Sequence, residues 1–117
     1  MRKVVPTPPP QEALIADTAA FGAILRAART GAGMTLADAA MAFGIAKQTL
    51  ADLETAKSSV GLATALKVAA GLGVAVFAVP AADREPVRRL IVGARRSADA
   101  TNPDPQASDK GARKGAG

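Results

Sequence analysis

At 117 residues, with a Pro-rich start and an end poor in apolar side chains, the chain has material for one compact domain of about 65 to 80 residues. Histidine and cysteine are both absent, which removes the commonest general base, the thiolate nucleophile and the usual zinc ligands; this speaks against an enzyme or a metal site and rules out a disulfide framework. The formal charge is +5, but residues 17–80 carry five basic and four acidic side chains whereas residues 81–117 carry eight and five, so charge alone points only weakly to a nucleic-acid partner.

Hydrophobic residues make up 49% of the chain, yet there are only three Phe and no Tyr or Trp. An interior filled by Ala, Leu, Val and Ile favours thin, closely packed helices, so the expected class is all-α. Residues 1–16 hold four of the eight prolines and read as a flexible or polyproline-type arm. Its opening, "MRKVVPTPPP", starts with charges but breaks into prolines without the apolar stretch of a secretion signal. The longest apolar run, residues 68–82, contains Gly71, Gly73 and Pro80 and falls short of the ~20 residues that span a bilayer. The expectation is a soluble, cytoplasmic protein without cofactor or metal.

From Asp17 the pattern changes. Phe21, Ile24, Leu25 and Ala28 recur at the spacing of one buried helical face, Asp17 or Thr18 can cap the helix, and Gly31 and Gly33 end it. A shorter helix follows, with Thr35 as N-cap, Asp38 three residues on, and Leu36, Ala39, Ala40 and Phe43 facing inward before Gly44 stops it. A third helix starts almost at once, with Ile45 anchoring its start and Leu50 and Leu53 on its inner face. After the loop "TAKSSVG", a fourth helix is expected over 62–72, with Leu62, Leu66 and Ala69 on one side. "VAVFAV", residues 74–79, is rich in β-branched residues between Gly73 and Pro80 and reads as a strand. A single strand needs a partner for its backbone groups, and only "KVV" at 3–5 is available in the chain. The strand is therefore expected to pair with its copy in a second subunit through Val74, Val76, Phe77 and Val79.

Beyond Pro80, Pro86 suits a first helical turn, and Val87, Leu90, Ile91 and Ala94 share one face opposite Arg88, Arg89, Arg95 and Arg96. This basic amphipathic helix, expected over 81–97, has several uses: a wider DNA footprint, a partner protein, an acidic surface, or packing of its apolar face back on the core, which is the favoured one. Residues 98–117 contain no Val, Leu, Ile or Phe and are expected to be disordered.

Two short helices joined by a tight Gly-containing turn, the second opening on polar residues, form the geometry that places a helix start in the DNA major groove. Lys47, Gln48 and Thr49 occupy that first turn. Lys and Gln can bond guanine and adenine edges, and Thr offers a hydroxyl or a methyl. Asp52, one turn on, repels phosphate but can accept from cytosine N4. The bland reading of this turn is a solvated helix start. A nucleophile built from Lys57, Ser58 and Ser59 has neither pocket nor oxyanion site, and the glycine pairs at 31/33 and 71/73 are helix ends rather than phosphate cradles.

Arg29, "GMT" at 33–35, Ala40, "GI" at 44–45, Leu53–Glu54 and "VGLATALKVAAGLGV" at 60–74 together resemble the Cro/cI-type (XRE-like) helix-turn-helix, and the second half is similar to antitoxins of HipB type. The resemblance implies a structural ion pair between Arg29 and Glu54, DNA contact by Lys47, Gln48, Thr49 and Asp52, and backbone contacts from Lys57 and from the N-terminal amides of the second helix. It also implies a C-terminal strand joining two subunits. The chain departs from the family pattern at Leu36, where a phosphate-binding Gln is common, at Ala46, where Ser commonly caps, and at Ala56, where Gly commonly closes the helix.

The expected architecture is thus all-α, a lambda-repressor-like helix-turn-helix bundle of four to five helices with a short C-terminal β-strand pairing across a dimer. The expected function is a DNA-binding transcriptional regulator, dimeric on an inverted repeat of double-stranded DNA and nucleoid-associated. Its most specific form is an antitoxin that represses its own operon and neutralises a HipA-like kinase toxin. The rival is a protein-interaction module that keeps the fold while DNA binding is weak or lost.

Overall fold

The computed structural model describes residues 3–10 and 14–101, with side chains as far as residue 98. It contains α1 (Thr18–Gly31), α2 (Leu36–Phe43), α3 (Lys47–Thr55), α4 (Leu62–Gly71), a 3-10 turn at Ala81–Asp83 and α5 (Arg84–Thr101). The described residues fall into two compact units that divide between Ala78 and Val79.

In the first unit α1 packs on α3, α3 on α2, and α2 on α4. Leu25, Leu50 and Val68 are its largest fully buried side chains, and Ala39, Ala40, Leu53, Ala65 and Ala69 complete the core. So many alanines leave little side-chain bulk between helices, and the partly buried Phe21, Met34, Phe43 and Ile45 close the edges. Of the side of α4 expected to carry Leu62, Leu66 and Ala69, only Ala69 is buried. Leu62 is 71% and Leu66 42% exposed, while Ala65, Val68 and Ala69 are buried. Nearly every residue of α4 is apolar, so periodicity defines no face and the contact with α2 decides it.

Local chemistry sets the helix ends. Asp17 caps α1 by accepting from the Ala20 N–H at 2.8 Å, and Thr35 caps α2 by accepting from the Asp38 N–H at 3.0 Å. Gly44 closes α2 in the left-handed region at φ 68°, where glycine meets no Cβ penalty. Ala56 closes α3 with the same backbone at φ 57° and is the one non-glycine residue at positive φ among those described. That geometry strains an L-residue, so Ala56→Gly is expected to raise stability by about 0.5–1 kcal/mol. Urea unfolding checks this, and an unchanged or lower midpoint would show the turn to be unstrained.

Residues 3–10 have no helix or strand. Thr7 is nevertheless tied to the end of α1: its N–H donates to Thr30 Oγ1 at 2.9 Å, and the Thr30 hydroxyl bonds back to the Arg26 carbonyl at 2.9 Å. The strand expected over 74–79 is not formed; residues 74–80 carry no regular structure and no strand occurs among the described residues. A strand exists only through its ladder, and the described chain supplies no second edge there. Val74 instead folds inward, its N–H donating to the Ala69 carbonyl at 2.8 Å and its side chain packing against the core.

In the second unit α5 runs four residues beyond the expected end at 97, and residues 102–117 lie outside those described. Pro86 falls in its first turn, where a missing N–H costs nothing. Glu85 and Arg88 form an exposed ion pair at 3.6 Å, a contact of little energetic weight.

Candidate nucleic-acid interface

The site begins at the turn between α2 and α3. The Gly44 N–H donates to the Met41 carbonyl at 3.2 Å and the Ile45 N–H to the Ala40 carbonyl at 3.0 Å, which ends α2 and turns Ile45 against the core. Ala46 then holds the N-cap position of α3 with no side-chain bond to its first amides. A Ser or Asp there would cover one of those donors, so their positive end is left to solvent or a ligand.

The helical phase of α3 follows from its two leucines. Leu50 and Leu53 are buried, and with that face inward Lys47 and Gln48 stand exposed at the start while Thr49 and Asp52 are half-buried. Lys57, in the following loop, is exposed, and its backbone N–H donates to the Asp52 carbonyl at 3.1 Å.

α1 holds α3 from behind. Arg29 Nε donates to Glu54 Oε2 at 2.6 Å and Nη2 to Glu54 Oε1 at 2.9 Å, a two-pronged pair whose side chains are 8% and 3% exposed. The remaining prong, Nη1, donates to the Met34 carbonyl at 2.7 Å. One guanidinium therefore ties the end of α1, the loop before α2 and the end of α3 together, with the planar fork matched to the carboxylate. Gly22 allows the same approach further along α1: a Cβ there would lie 2.5 Å from the Glu54 carbonyl oxygen.

Around Asp52 lies a network that sequence reasoning did not anticipate. Gln48 Nε2 donates to Asp52 Oδ1 at 2.8 Å, and the Ser58 hydroxyl donates to Asp52 Oδ2 at 3.0 Å. The i, i+4 spacing of Gln48 and Asp52 was visible in the sequence. Ser58 was not identifiable, because only the left-handed turn at Ala56 brings the loop back over the helix.

The second-helix amides expected on phosphate are placed less favourably. Asp38 sits in the first turn of α2, adding negative charge where a phosphate was expected, and its amide is already spent on Thr35. Val76, Phe77 and Val79, expected at a subunit interface, are 43%, 75% and 46% exposed.

A family model described as helix-turn-helix matches residues 25–77, from the middle of α1 to the irregular segment after α4. No curated protein matches the chain. The matched segment, a little under half of the chain, supports a Cro/cI-like helix-turn-helix, a domain type that suggests DNA binding in transcription regulation. Among the described residues no helix is long and apolar enough to cross a membrane.

Proposed function

We propose that this chain is a sequence-specific transcriptional regulator that inserts the start of α3 into the major groove, with Lys47, Gln48 and Thr49 reading bases and Lys57 on the phosphate backbone. The observation that carries the proposal is the exposure of Lys47 and Gln48 on a helix whose far end is held by a buried ion pair. A rigidly held helix with a polar leading turn meets the demand of base readout, which needs side chains fixed in register. Residues 17–80 form the binding domain in this proposal, preceded by an arm over 1–16 and followed by the basic helix α5.

The active form is a homodimer on an inverted repeat, with half-sites one helical turn apart, about 34–36 Å. The exposed apolar side chains of Val76, Phe77 and Val79, on a segment without regular structure of its own, support pairing with a second copy, which would supply the ladder partner that one chain lacks. The most specific form of the proposal is an antitoxin-type autorepressor bound to a HipA-like kinase toxin; this rests on the resemblance of the 60–74 segment and on that exposed extension. A competing reading, a protein-interaction module with residual DNA binding, draws on Asp38 in the first turn of α2, whose charge opposes a phosphate there.

Mobility-shift titration on the DNA upstream of its own reading frame separates them. The regulator binds one sequence selectively and loses affinity as salt rises, and Gln48→Ala lowers discrimination at one base pair by about 1–3 kcal/mol. Selective binding that survives conversion of Lys47, Gln48 and Thr49 together to Ala would remove α3 from the readout. A sizing column that shows only monomer at micromolar concentration, with and without operator, would remove the dimer.

A further inference from the structure

We propose that Asp52 and Ser58 act as a latch that sets Gln48 to read adenine rather than guanine. The proposal rests on the DNA-binding reading above and gives Ser58 a part in it. Its basis is the chain of hydrogen bonds Ser58 hydroxyl to Asp52 Oδ2 at 3.0 Å and Gln48 Nε2 to Asp52 Oδ1 at 2.8 Å.

A glutamine side chain can present its amide in two orientations that differ only in which end carries the donors. An ionised carboxylate accepts and never donates, so Asp52 admits the NH2 end of Gln48 and rejects the carbonyl end. The orientation is therefore dictated by chemistry and not by fit. One Nε2 hydrogen is committed to Asp52. What Gln48 has left for a partner is one N–H and the Oε1 acceptor.

That remaining pair is what adenine requires, because its major-groove edge shows one acceptor, N7, and one donor, N6–H. Guanine shows two acceptors, N7 and O6, and needs two donors. An amide with one hydrogen already spent cannot satisfy both, whereas an unlatched amide can turn and offer both hydrogens. Asp52 thereby acts as a positioning residue that subtracts one donor from its neighbour.

Ser58 keeps Asp52 in that role. An exposed Gln–Asp pair on a helix is weak alone, and a free carboxylate would swing toward solvent or be pushed away by DNA phosphates. The Ser58 hydroxyl on Oδ2 and the Lys57 N–H on the Asp52 carbonyl hold both ends of this residue against the loop that follows α3. The loop enters base selection without touching a base.

The test is selection of bound sequences from a pool of randomised duplexes, followed by titration of the selected site and of the same site with its Gln48-dependent A·T pair changed to G·C. Gln48→Ala identifies that pair. The wild-type chain is expected to prefer A·T there by about tenfold or more. Ser58→Ala leaves the charge unchanged, so the salt dependence stays as in the wild type while the preference falls by roughly threefold to tenfold; Ser58→Thr keeps the hydroxyl and restores it. Asp52→Ala lowers the preference as well, but raises affinity for all sequences because a negative charge leaves the phosphate surface. A wild-type chain that selects a sequence, together with Ser58→Ala and Asp52→Ala variants that keep the full A over G preference, would overturn the latch and leave the regulator standing. A Gln48 position that selects guanine would overturn it too. A wild-type chain that selects no sequence defeats both.

Discussion

Glu54→Ala is expected to lower the stability of the first unit by about 3–5 kcal/mol, the cost of leaving a buried charge without its partner. In the wild type, Arg29 has two of its prongs on Glu54 at 2.6 and 2.9 Å, and both side chains are almost fully covered. Removing the carboxylate leaves the guanidinium in the same dry place with only the Met34 carbonyl on Nη1. A small domain has a total stability near the low end of about 5–15 kcal/mol, so the loss consumes most of it and the variant should be largely unfolded at moderate urea. The paired substitution Arg29→Met with Glu54→Leu removes both charges and fills similar volume, and should recover much of the loss. Urea unfolding followed by circular dichroism measures all three chains. A Glu54→Ala chain within about 1 kcal/mol of wild type would mean that water reaches the guanidinium and the pair is not buried in solution.

The double variant also separates stability from function. If the pair serves only to keep the unit folded, a stable chain carrying both substitutions binds its site with wild-type selectivity. The geometry argues for more, since the same guanidinium fixes the loop before α2 through Met34 and the last turn of α3 through Glu54. An apolar pair has no comparable directionality, and α3 would gain freedom to tilt.

How much of this was open to sequence reading varies with the range of the interaction. Helix starts and stops at Asp17, Thr35, Gly44 and Gly73 depend on residues within a few positions of one another, and those local rules carry to the structure. The Arg29–Glu54 pair spans 25 residues and came only from the resemblance, because no local periodicity relates the end of one helix to the end of another. Of Leu62, Leu66 and Ala69, grouped on one side of α4 from the sequence, only Ala69 is buried, because a mostly apolar helix has little pattern to break. The strand over 74–79 was inferred from β-branched composition, but composition supplies only half of a ladder. Ser58 and Thr7 were missed because both reach their partners, Asp52 and Thr30, only after the chain has turned.

Gly22→Ala offers the second large effect, and here two opposing terms must be weighed. In the middle of a helix, Ala is favoured over Gly by about 1 kcal/mol, so an isolated α1 would gain from the change. In the folded unit the new Cβ would lie 2.5 Å from the Glu54 carbonyl oxygen, 2.6 Å from that of Leu53 and 2.8 Å from the Glu54 carbonyl carbon. All three are backbone atoms of the last turns of α3, so no rotamer change can relieve the overlap. The helices must move apart, and the same movement opens the packing around Leu25, Leu50 and Leu53 and stretches the Arg29–Glu54 pair. Overpacking of this kind costs about 1–3 kcal/mol and occasionally more; because two further interactions are disturbed, the net loss is expected at about 2 kcal/mol despite the helical gain. Gly31→Ala is the control, since a Cβ at Gly31, the last residue of α1, meets nothing within 4 Å, and it should leave stability unchanged or raise it by up to about 1 kcal/mol. The two glycines of one helix thus predict different responses to the same added methyl group, which urea unfolding of the two variants measures directly. Equal stability of the pair would mean that α1 and α3 do not approach through Gly22, and the rigid seating of α3 would lose its physical basis.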